Sequence, residues 1–203
     1  PGIRVEEIWD TLGMRGTSSN TMHLENCFVP KERLFLGVEG MALHKATRQP
    51  HWLIGAYNGV YLGIGSAILD FVCDYMKKRN DPATGEPIAH NPLIQHRVGE
   101  MSVQLEAARN VTYEAARLCD EARGSDAANL AIHRAKYLVG ELGPWMASHA
   151  IRICGGSTIF RRLPLERLYR DSRCGGVMPA KSDDCLTYVG KALLGINVRS
   201  LEQ

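Results

Sequence analysis

An arginine that follows two lysines, Lys77 and Lys78, could bind an anion at the end of a predicted helix. The guanidinium of Arg79 carries a permanent positive charge and a planar set of N–H donors that matches the oxygen atoms of a phosphate. A solvated arginine beside two other cations would show the same pattern without any ligand. Both interpretations of Arg79 stay open here, because the choice depends on its surroundings in the fold.

Two adjacent glycines, Gly155 and Gly156, could bring backbone amides close to a ligand. Without a Cβ, such a turn lets N–H groups approach an anionic or planar group with no side chain in the way. A glycine pair is equally suited to end a helix, where it needs no ligand. The pair therefore predicts a tight turn, and ligand binding is one of two explanations for it.

His51 and Trp52 lie where the sequence pattern changes, and they could line a substrate pocket. An imidazole can hydrogen-bond or exchange a proton near neutral pH, and an indole ring supplies apolar surface. A histidine beside a half-buried tryptophan at a junction has a structural explanation as well. These two residues are our candidates for substrate contacts.

The charge balance and the cysteines exclude several classes of partner. Lys and Arg total 24 against 22 Asp and Glu, so the net charge of +2 gives the whole chain no reason to bind nucleic acid. The six cysteines lie far apart and form no C-x-x-C pair, which argues against a metal site and a redox dithiol. We expect reduced thiols and no bound metal, in a cytoplasmic protein.

Two kinds of segment must position these residues. Residues 1–40 contain Gly13, Gly16 and a polar cluster at residues 17–20, followed by alternating apolar positions, which is typical of strands and turns. The period changes after residue 50, and the apolar positions then have helical spacing. Residues 31–50 are the expected junction.

Four amphipathic helices are predicted after the junction. The first runs to about Arg79, the second starts at the capping pair Asn91-Pro92, and the fourth starts around Ser182. The positions expected to face the core are Tyr57, Ile64, Ile68, Phe71 and Tyr75 in the first helix, Val98, Met101, Leu105, Ala108, Thr112 and Ala115 in the second, and Leu186, Val189, Leu193 and Ile196 in the fourth.

The third helix has a cap at its start and a proline in its interior. Ser125 or Asp126 can cap it, and Gly143-Pro144 predicts a kink or break because proline lacks an amide donor. Together the four segments predict a mainly α fold, an antiparallel four-helix bundle preceded by a short β segment. Residues 1–40 are expected to be the remnant of a β domain, and residues 41–203 the bundle.

The first predicted helix contains 18 uncharged residues, 52–69, which just reaches the length of a membrane span. Its hydrophobicity is diluted by glycines, and Asp70 continues the same helix. Gly55, Gly59 and Gly63 recur at four-residue spacing and would let another helix approach closely. We therefore predict a buried helix of a soluble bundle, and no membrane span.

Three stretches together resemble the acyl-CoA dehydrogenase family. Residues 9–17 (WDTLGMRGT), continuing to FVP at 28–30, look like the end of the family's middle β domain. Residues 67–70 (AILD), with Tyr75 and Arg79, resemble the first long helix of its carboxy-terminal bundle. The most specific match is Gly-Gly followed by LPLERLYRD at 163–171, which precedes the family's active-site loop.

The resemblance implies an FAD enzyme and assigns several residues to the cofactor. Arg79 matches the arginine that reaches the FAD diphosphate of a neighbouring subunit, and the pair Gly155-Gly156 matches a cofactor turn. Gln95 is the glutamine nearest to the family's flavin-facing one, which aligns closer to Pro92. Ser182 matches a family serine and is expected to cap the fourth helix, contact the cofactor, or both.

The residues that would remove a proton in these dehydrogenases are missing from this chain. Such enzymes take a proton from the carbon next to a thioester carbonyl, which requires a positioned base. The family's usual glutamate position falls on Pro179, and the alternative position on the first bundle helix falls on Leu53. The catalytic residue of this chain is therefore unknown, and His51 replaces a family aspartate on the thioester side.

Two enzymatic functions remain open from the sequence, beside a non-catalytic interaction module, which would be expected to have lost Arg79 and the glycine pair. The first is an oxidoreductase that dehydrogenates an acyl-CoA-like substrate, and the second is a flavin monooxygenase on the same scaffold that uses reduced flavin and oxygen. The family implies a homodimer or homotetramer and an electron-transfer or flavin-reductase partner. The first residues look like an internal segment of a longer protein. We therefore expect the natural protein to be longer and the isolated chain to be inactive.

Overall fold

A two-stranded antiparallel sheet precedes six α-helices in the computed structural model, which describes residues 2–198 without the side chains of residues 46–48. The strands are β1 (Ile3–Glu6) and β2 (Thr21–Leu24). The helices are α1 (Met41–Arg48), α2 (His51–Lys78), α3 (Pro92–Glu121), α4 (Asp126–Cys154), α5 (Leu165–Ser172) and α6 (Ser182–Leu193).

The predicted fold class is confirmed. Residue 1 and residues 199–203 of the predicted domains lie outside the described part of the chain, and the division at residue 40 stays a prediction.

The helix α4 lies at the centre of the helical part. It contacts α2, α3, α5 and α6. Small side chains at many of its buried positions let these neighbours come close, and they are Ala128, Ala135, Gly140, Gly143, Ala147 and Ala150. Burial of apolar surface stabilises the fold by about 25 cal/mol per Å². Because α4 is covered by other helices on several sides, packing against it positions those helices.

The predicted packing face and caps of α3 are confirmed. Met101, Leu105, Ala108 and Ala115 are buried, and the other two positions of the seam, Val98 and Thr112, are partly buried. The Asn91 side chain accepts a hydrogen bond from the Leu93 amide at 2.9 Å, and Pro92 occupies the first helical position. At the start of α4 the Ser125 hydroxyl accepts one from the Ala128 amide at 3.1 Å. Local spacing and capping chemistry were sufficient for these elements.

The buried face of α2 differs from the prediction. Of the five positions expected in the core, Ile68 is fully buried and the other four are only partly buried. The close helix contact lies at Gly65, where a Cβ would be 3.2 Å from Leu105 Cδ1 and 3.4 Å from Met146 Sδ. The helix is therefore rotated to bury Ile54, Asn58, Tyr61, Leu62, Gly65, Ile68, Val72 and Met76.

The glycine series expected to admit a neighbouring helix is largely open. A Cβ on Gly59 or Gly63 would meet nothing within 4 Å in the described part of the chain, and one on Gly55 would meet only Ile132 at 3.7 Å. Contact of this face with another chain stays a prediction. By length and composition α2 could cross a membrane, a test that core helices also pass, and one face of it packs against α3 and α4.

Of the kink or break predicted at Pro144, the break is wrong, because α4 runs from Asp126 to Cys154 with the proline inside it; the kink stays a prediction. Proline removes the hydrogen bond to the carbonyl four residues earlier, here that of Gly140. Gly140 is buried against the Gly175 backbone and the Ser182 hydroxyl, and Gly143 is buried against Ser172 at the end of α5. Packing on several sides keeps the helix continuous where its own hydrogen bonding is interrupted.

The predicted core face of α6 is mostly exposed. Leu186 and Leu193 are 47% and 67% exposed, and Ile196 lies beyond the end of the helix. The buried residues of α6 are Ser182 and Cys185, on the side that contacts α4. The sequence shows the apolar stripe of α6, but a different side of this helix packs against α4.

The segment after β1 is tied to α5 by hydrogen bonds between distant residues. Arg170 Nη1 donates to the Leu12 carbonyl at 2.8 Å, and the Asp171 carboxylate accepts from the Met14 amide at 2.6 Å. Arg170 also pairs with Glu166 at 2.9 Å. Between them, a Cβ on Gly13 would lie 2.2 Å from the Arg170 carbonyl oxygen, so the backbones touch and only glycine fits.

Replacing Gly13 by alanine is expected to separate residues 2–24 from α5, because the added methyl group cannot share space with the Arg170 carbonyl. We expect the free energy of unfolding to fall by about 1–3 kcal/mol. Limited proteolysis should also cut near β1 and β2 faster than in the wild type. The control is Gly16→Ala, where a Cβ meets nothing within 4 Å. Equal behaviour of the two variants would contradict the prediction.

The docking of α6 on α4 predicts a pH dependence of stability. The His133 and Tyr188 rings stack at 3.8 Å and 4°, and His133 Nδ1 donates to the Asn129 carbonyl at 2.7 Å. Burial lowers the pKa of His133 below its ordinary value of 6.5, so His133 binds a proton less readily in the folded chain than in the unfolded chain. Below pH 6.5 the unfolded chain therefore binds more protons, and the free energy of unfolding falls as the pH falls.

The variant His133→Phe keeps a ring against Tyr188 but cannot bind a proton. Its free energy of unfolding should decrease less than that of the wild type between about pH 7.5 and about pH 5, measured by urea titration. The difference is at most about 1.4 kcal/mol per pH unit. His149→Phe is the control, since His149 makes the same contact with the carbonyl four residues earlier but is only partly buried. Parallel curves for wild type and His133→Phe would rule out this source of pH dependence.

Candidate functional site

Arg79 follows the last residue of α2, and one of its nitrogens is surrounded by three oxygen atoms. Nη1 donates to the Tyr75 hydroxyl at 2.8 Å, to the Cys154 carbonyl at 3.1 Å and to the Ser157 hydroxyl at 3.2 Å. The two hydroxyls also hydrogen-bond each other at 2.7 Å. The side chain is exposed, and neither Nε nor Nη2 makes a hydrogen bond to the described residues.

The glycine pair ends α4 directly beside this arginine. Gly155 has φ of +85°, a conformation that side chains disfavour, and its carbonyl accepts hydrogen bonds from the amide and hydroxyl of Thr158. A Cβ on Gly155 would lie 4.0 Å from Arg79 Nη1, whereas a Cβ on Gly156 would meet nothing within 4 Å. The turn is thus a helix end, as one interpretation predicted, and it also leaves open space next to a cation.

The fold therefore brings together two candidates that are about 75 residues apart in the sequence. The arginine keeps unpartnered N–H donors, and Gly156 offers backbone with no side chain over it. This donor set fits a phosphate or diphosphate, and with it the FAD that the family resemblance implies. The binding role of Arg79, Gly155 and Gly156 stays a prediction.

Gln95 has a local partner. It lies in the first turn of α3, where its side-chain amide donates to the Ala89 carbonyl at 3.0 Å. The described structure shows no contact between Gln95 and Arg79. Cofactor binding by Gln95 stays a prediction that this chain's geometry does not strengthen.

His51 and Trp52 begin α2 but differ in exposure. Neither ring nitrogen of His51 has a hydrogen-bond partner among the described residues, although both are buried. Burial, and then the charges of Arg123 and Lys45, lower the pKa of His51, which favours a neutral ring. Trp52 is 58% exposed, with its indole N–H donating to Gln49 at 3.1 Å and the Lys45 ammonium 4.8 Å from its ring. A pocket formed by both residues stays a prediction.

The expected cap at Ser182 is wrong. Lys181 is the capping residue of α6 and makes no side-chain cap, while the Ser182 hydroxyl donates to the Glu141 carboxylate at 2.5 Å. The Ser182 amide donates to the Gly176 carbonyl at 2.9 Å. Ser182 therefore attaches the start of α6 to α4. Its contact with a cofactor stays a prediction.

A buried lysine, which none of the sequence patterns predicted, holds the loop between α5 and α6. Lys136 is fully buried, and its Nζ donates to the Gly175 carbonyl at 2.7 Å and lies 5.9 Å from the Tyr61 ring. Burial lowers the pKa of Lys136. A lone cation between buried positions such as Ala135 and Val139 is the signal that could have identified it. Lys136 and Glu141 fix the loop between α5 and α6 at two points.

The two positions where the family carries a base lie beside one apolar cluster. Ile54, which follows Leu53, and Ala180, which follows Pro179, both pack into a cluster that includes Ile132. Leu53 is 43% exposed, and Pro179 is also exposed. The residues that follow the two positions thus share one cluster, but neither Leu53 nor Pro179 has a side chain that can accept a proton.

The family model described as "Acyl-CoA dehydrogenase, C-terminal domain" matches residues 56–178. The chain is 29% identical to the putative acyl-CoA dehydrogenase YdbM of Bacillus subtilis, over 90% of this chain and 47% of that protein. It is 32% identical to the mitochondrial short-chain specific acyl-CoA dehydrogenase of Mus musculus, over 90% of this chain and 43% of that protein. The chain thus spans about half the length of the curated relatives it matches.

Solved structures share the fold as well. A glutaryl-coenzyme A dehydrogenase in complex with glutaryl-CoA has a TM-score of 0.84 and 28% identity, covering 97% of this chain and 48% of that one. Dibenzothiophene monooxygenase TdsC from Paenibacillus sp. A11-2 has a TM-score of 0.85, covering 100% of this chain and 56% of that one. At 22% identity the second match shows the fold alone.

Removing the Ser182 hydroxyl tests whether its contact with Glu141 holds α6 in place. Ser182→Ala deletes a hydrogen bond to a charged group without adding bulk, and we expect the free energy of unfolding to fall by about 1–2 kcal/mol. Hydrogen exchange in α6 should speed up as well. Ser148→Ala, an exposed position on α4, is the control. A loss no larger than that of the control would show that the contact does not stabilise this helix.

Proposed function

This chain belongs to the acyl-CoA dehydrogenase family, and we propose that the full-length protein is an FAD-dependent oxidoreductase that dehydrogenates an acyl-CoA-like substrate. The observation that supports it most is the meeting of Arg79 with the Gly155-Gly156 turn, which leaves cationic and backbone donors facing open space. The curated relatives in the comparison are named as acyl-CoA dehydrogenases, which supports the reaction class.

In this proposal Arg79 binds the FAD diphosphate, and Gly156 lets the backbone approach it. Gln95 and Ser182 are further candidates for the cofactor. When bound, FAD supplies a two-electron acceptor for a hydride from the substrate. The remaining task falls to the protein, which must remove a proton from the carbon next to the thioester carbonyl.

The proton acceptor is not at the two family positions in this chain, since Leu53 and Pro179 are apolar. The lowered pKa of His51 favours the neutral ring that a base requires, but the ring nitrogens are covered. We therefore propose that the base comes from another part of the full-length protein, and that His51 and Trp52 contribute to the substrate side.

A flavin monooxygenase is the second candidate, and the missing carboxylates favour it. A reaction of reduced flavin with oxygen needs no base at the carbon next to a thioester, so Leu53 and Pro179 would be compatible with it. The names of the curated relatives support the dehydrogenase instead. A flavin reductase would be the partner in the second case, and an electron-transfer protein in the first.

The proposal includes self-association in the cytoplasm. The open glycine face of α2, at Gly59 and Gly63, and the exposed apolar stripe of α6 offer surfaces for a homodimer or homotetramer. Arg79 would then serve the cofactor of a neighbouring subunit, as the family resemblance implies.

Spectroscopy of the full-length protein tests the proposal. We expect a yellow protein whose flavin absorbance is bleached anaerobically by acyl-CoA thioesters, because hydride transfer reduces the flavin. Free CoA, which has no acyl chain to oxidise, is the control ligand. A flavin that resists every thioester but forms an oxygen adduct after reduction would favour the monooxygenase. A protein that takes up no flavin would refute both.

A further inference from the structure

Arg79 differs from three other arginines of the described helices in what holds it. Arg97, Arg117 and Arg170 each pair with carboxylates at 2.9 Å or less. Arg79 takes part in no ion pair with the described residues, and its partners are two hydroxyls and a carbonyl. Its positive charge is therefore fixed in place without being compensated by an acidic side chain.

The contacts of Arg79 exceed what a simple helix cap needs. A carbonyl contact alone, such as that with Cys154, would satisfy the end of α4. The two hydroxyls of Tyr75 and Ser157 add acceptors on the same nitrogen and hydrogen-bond each other, so they fix the direction of the guanidinium plane. This leaves the edge formed by Nε and Nη2 without partners among the described residues.

The Tyr75 ring is itself held in position. It stacks on Phe71, one turn earlier in α2, with ring centroids 5.4 Å apart and planes at 27°. The Arg79 guanidinium lies 5.7 Å from the same Tyr75 ring, on the next turn. Ser157 is placed by the turn that Gly155 opens with its positive φ. Both hydroxyls thus come from rigid supports, which is what positioning of a third group requires.

We propose that Tyr75 and Ser157 are positioning residues that orient Arg79 towards a diphosphate. The inference rests on the proposed function, because the diphosphate is that of FAD. A guanidinium that is already oriented loses less conformational freedom when it binds an anion, so binding is tighter. A Cβ on Gly156 would meet nothing within 4 Å, so no side chain of the described residues fills the space at this turn beside Arg79.

The test measures flavin affinity, separately from activity. Full-length apoprotein is titrated with FAD, and the dissociation constant is read from quenching of flavin fluorescence. We expect Tyr75→Phe to weaken binding about 3- to 10-fold and Ser157→Ala to weaken it by a similar or smaller factor. Tyr113→Phe, an exposed tyrosine on α3, should leave the affinity unchanged. Inorganic pyrophosphate should compete with FAD less well in Tyr75→Phe than in the wild type.

A double-mutant cycle separates positioning from a general structural effect. If Tyr75 acts through Arg79, adding Tyr75→Phe to Arg79→Met should change the FAD dissociation constant no further. Thermal unfolding of each apoprotein checks that the variants are folded, and Ser157→Ala provides an independent substitution should Tyr75→Phe unfold.

The outcomes distinguish this inference from the proposed function. Flavin binding by the wild type with no change in Tyr75→Phe and Ser157→Ala overturns the positioning role and leaves the proposed function standing. Equal losses from Tyr75→Phe with and without Arg79 overturn it too, because the tyrosine would then act by another route. A wild-type protein that binds no FAD overturns both.

Discussion

The contact between two glycines, Gly140 in α4 and Gly175 in the loop before α6, is the constraint on which much of the helical part depends. A Cβ on either residue would lie 3.1 Å from backbone atoms of the other. The loop can therefore touch the helix backbone, and its Gly175 carbonyl comes within reach of the buried Lys136 amine. A buried cation with a single carbonyl partner is tolerated only where the geometry is fixed, and the two glycines fix it.

The same packing places the candidate cofactor site. Because α4 is enclosed by α2, α3, α5 and α6, its last residue lies at a defined place relative to the end of α2. The Cys154 carbonyl and the Arg79 guanidinium meet there, and the positive φ of Gly155 turns the chain away. An arginine at the end of one helix becomes a ligand-binding candidate only because another helix ends beside it.

Two features of the described residues, the apolar base positions and the exposed stripe of α6, lack a complementary group in this part of the chain. Leu53 and Pro179 flank one apolar cluster where relatives of this fold family would carry a base, and the stripe of α6 at Leu186 and Leu193 is exposed. The chain spans about half the length of its curated relatives. In the proposed enzyme, the base would therefore come from outside this helical unit.

Local patterns in the sequence determined the helices and several of their ends. The spacing of Met101, Leu105 and Ala108 predicted the buried face of α3, and Asn91 and Ser125 cap as expected, because these effects act within a few residues. The resemblance to a family identified Arg79 and the glycine pair. The sequence alone could not show that Arg79 and the glycine pair lie side by side in the fold.

Only the tertiary structure decided which faces and which partners are used. The apolar spacing of α2 and α6 was compatible with more than one rotation, and contacts at Gly65 and Ser182 selected one of them. The bonds from Lys136 to Gly175 and from Ser182 to Glu141 join residues about 40 positions apart. Such pairs leave no periodic signal, because their geometry depends on the whole fold around them.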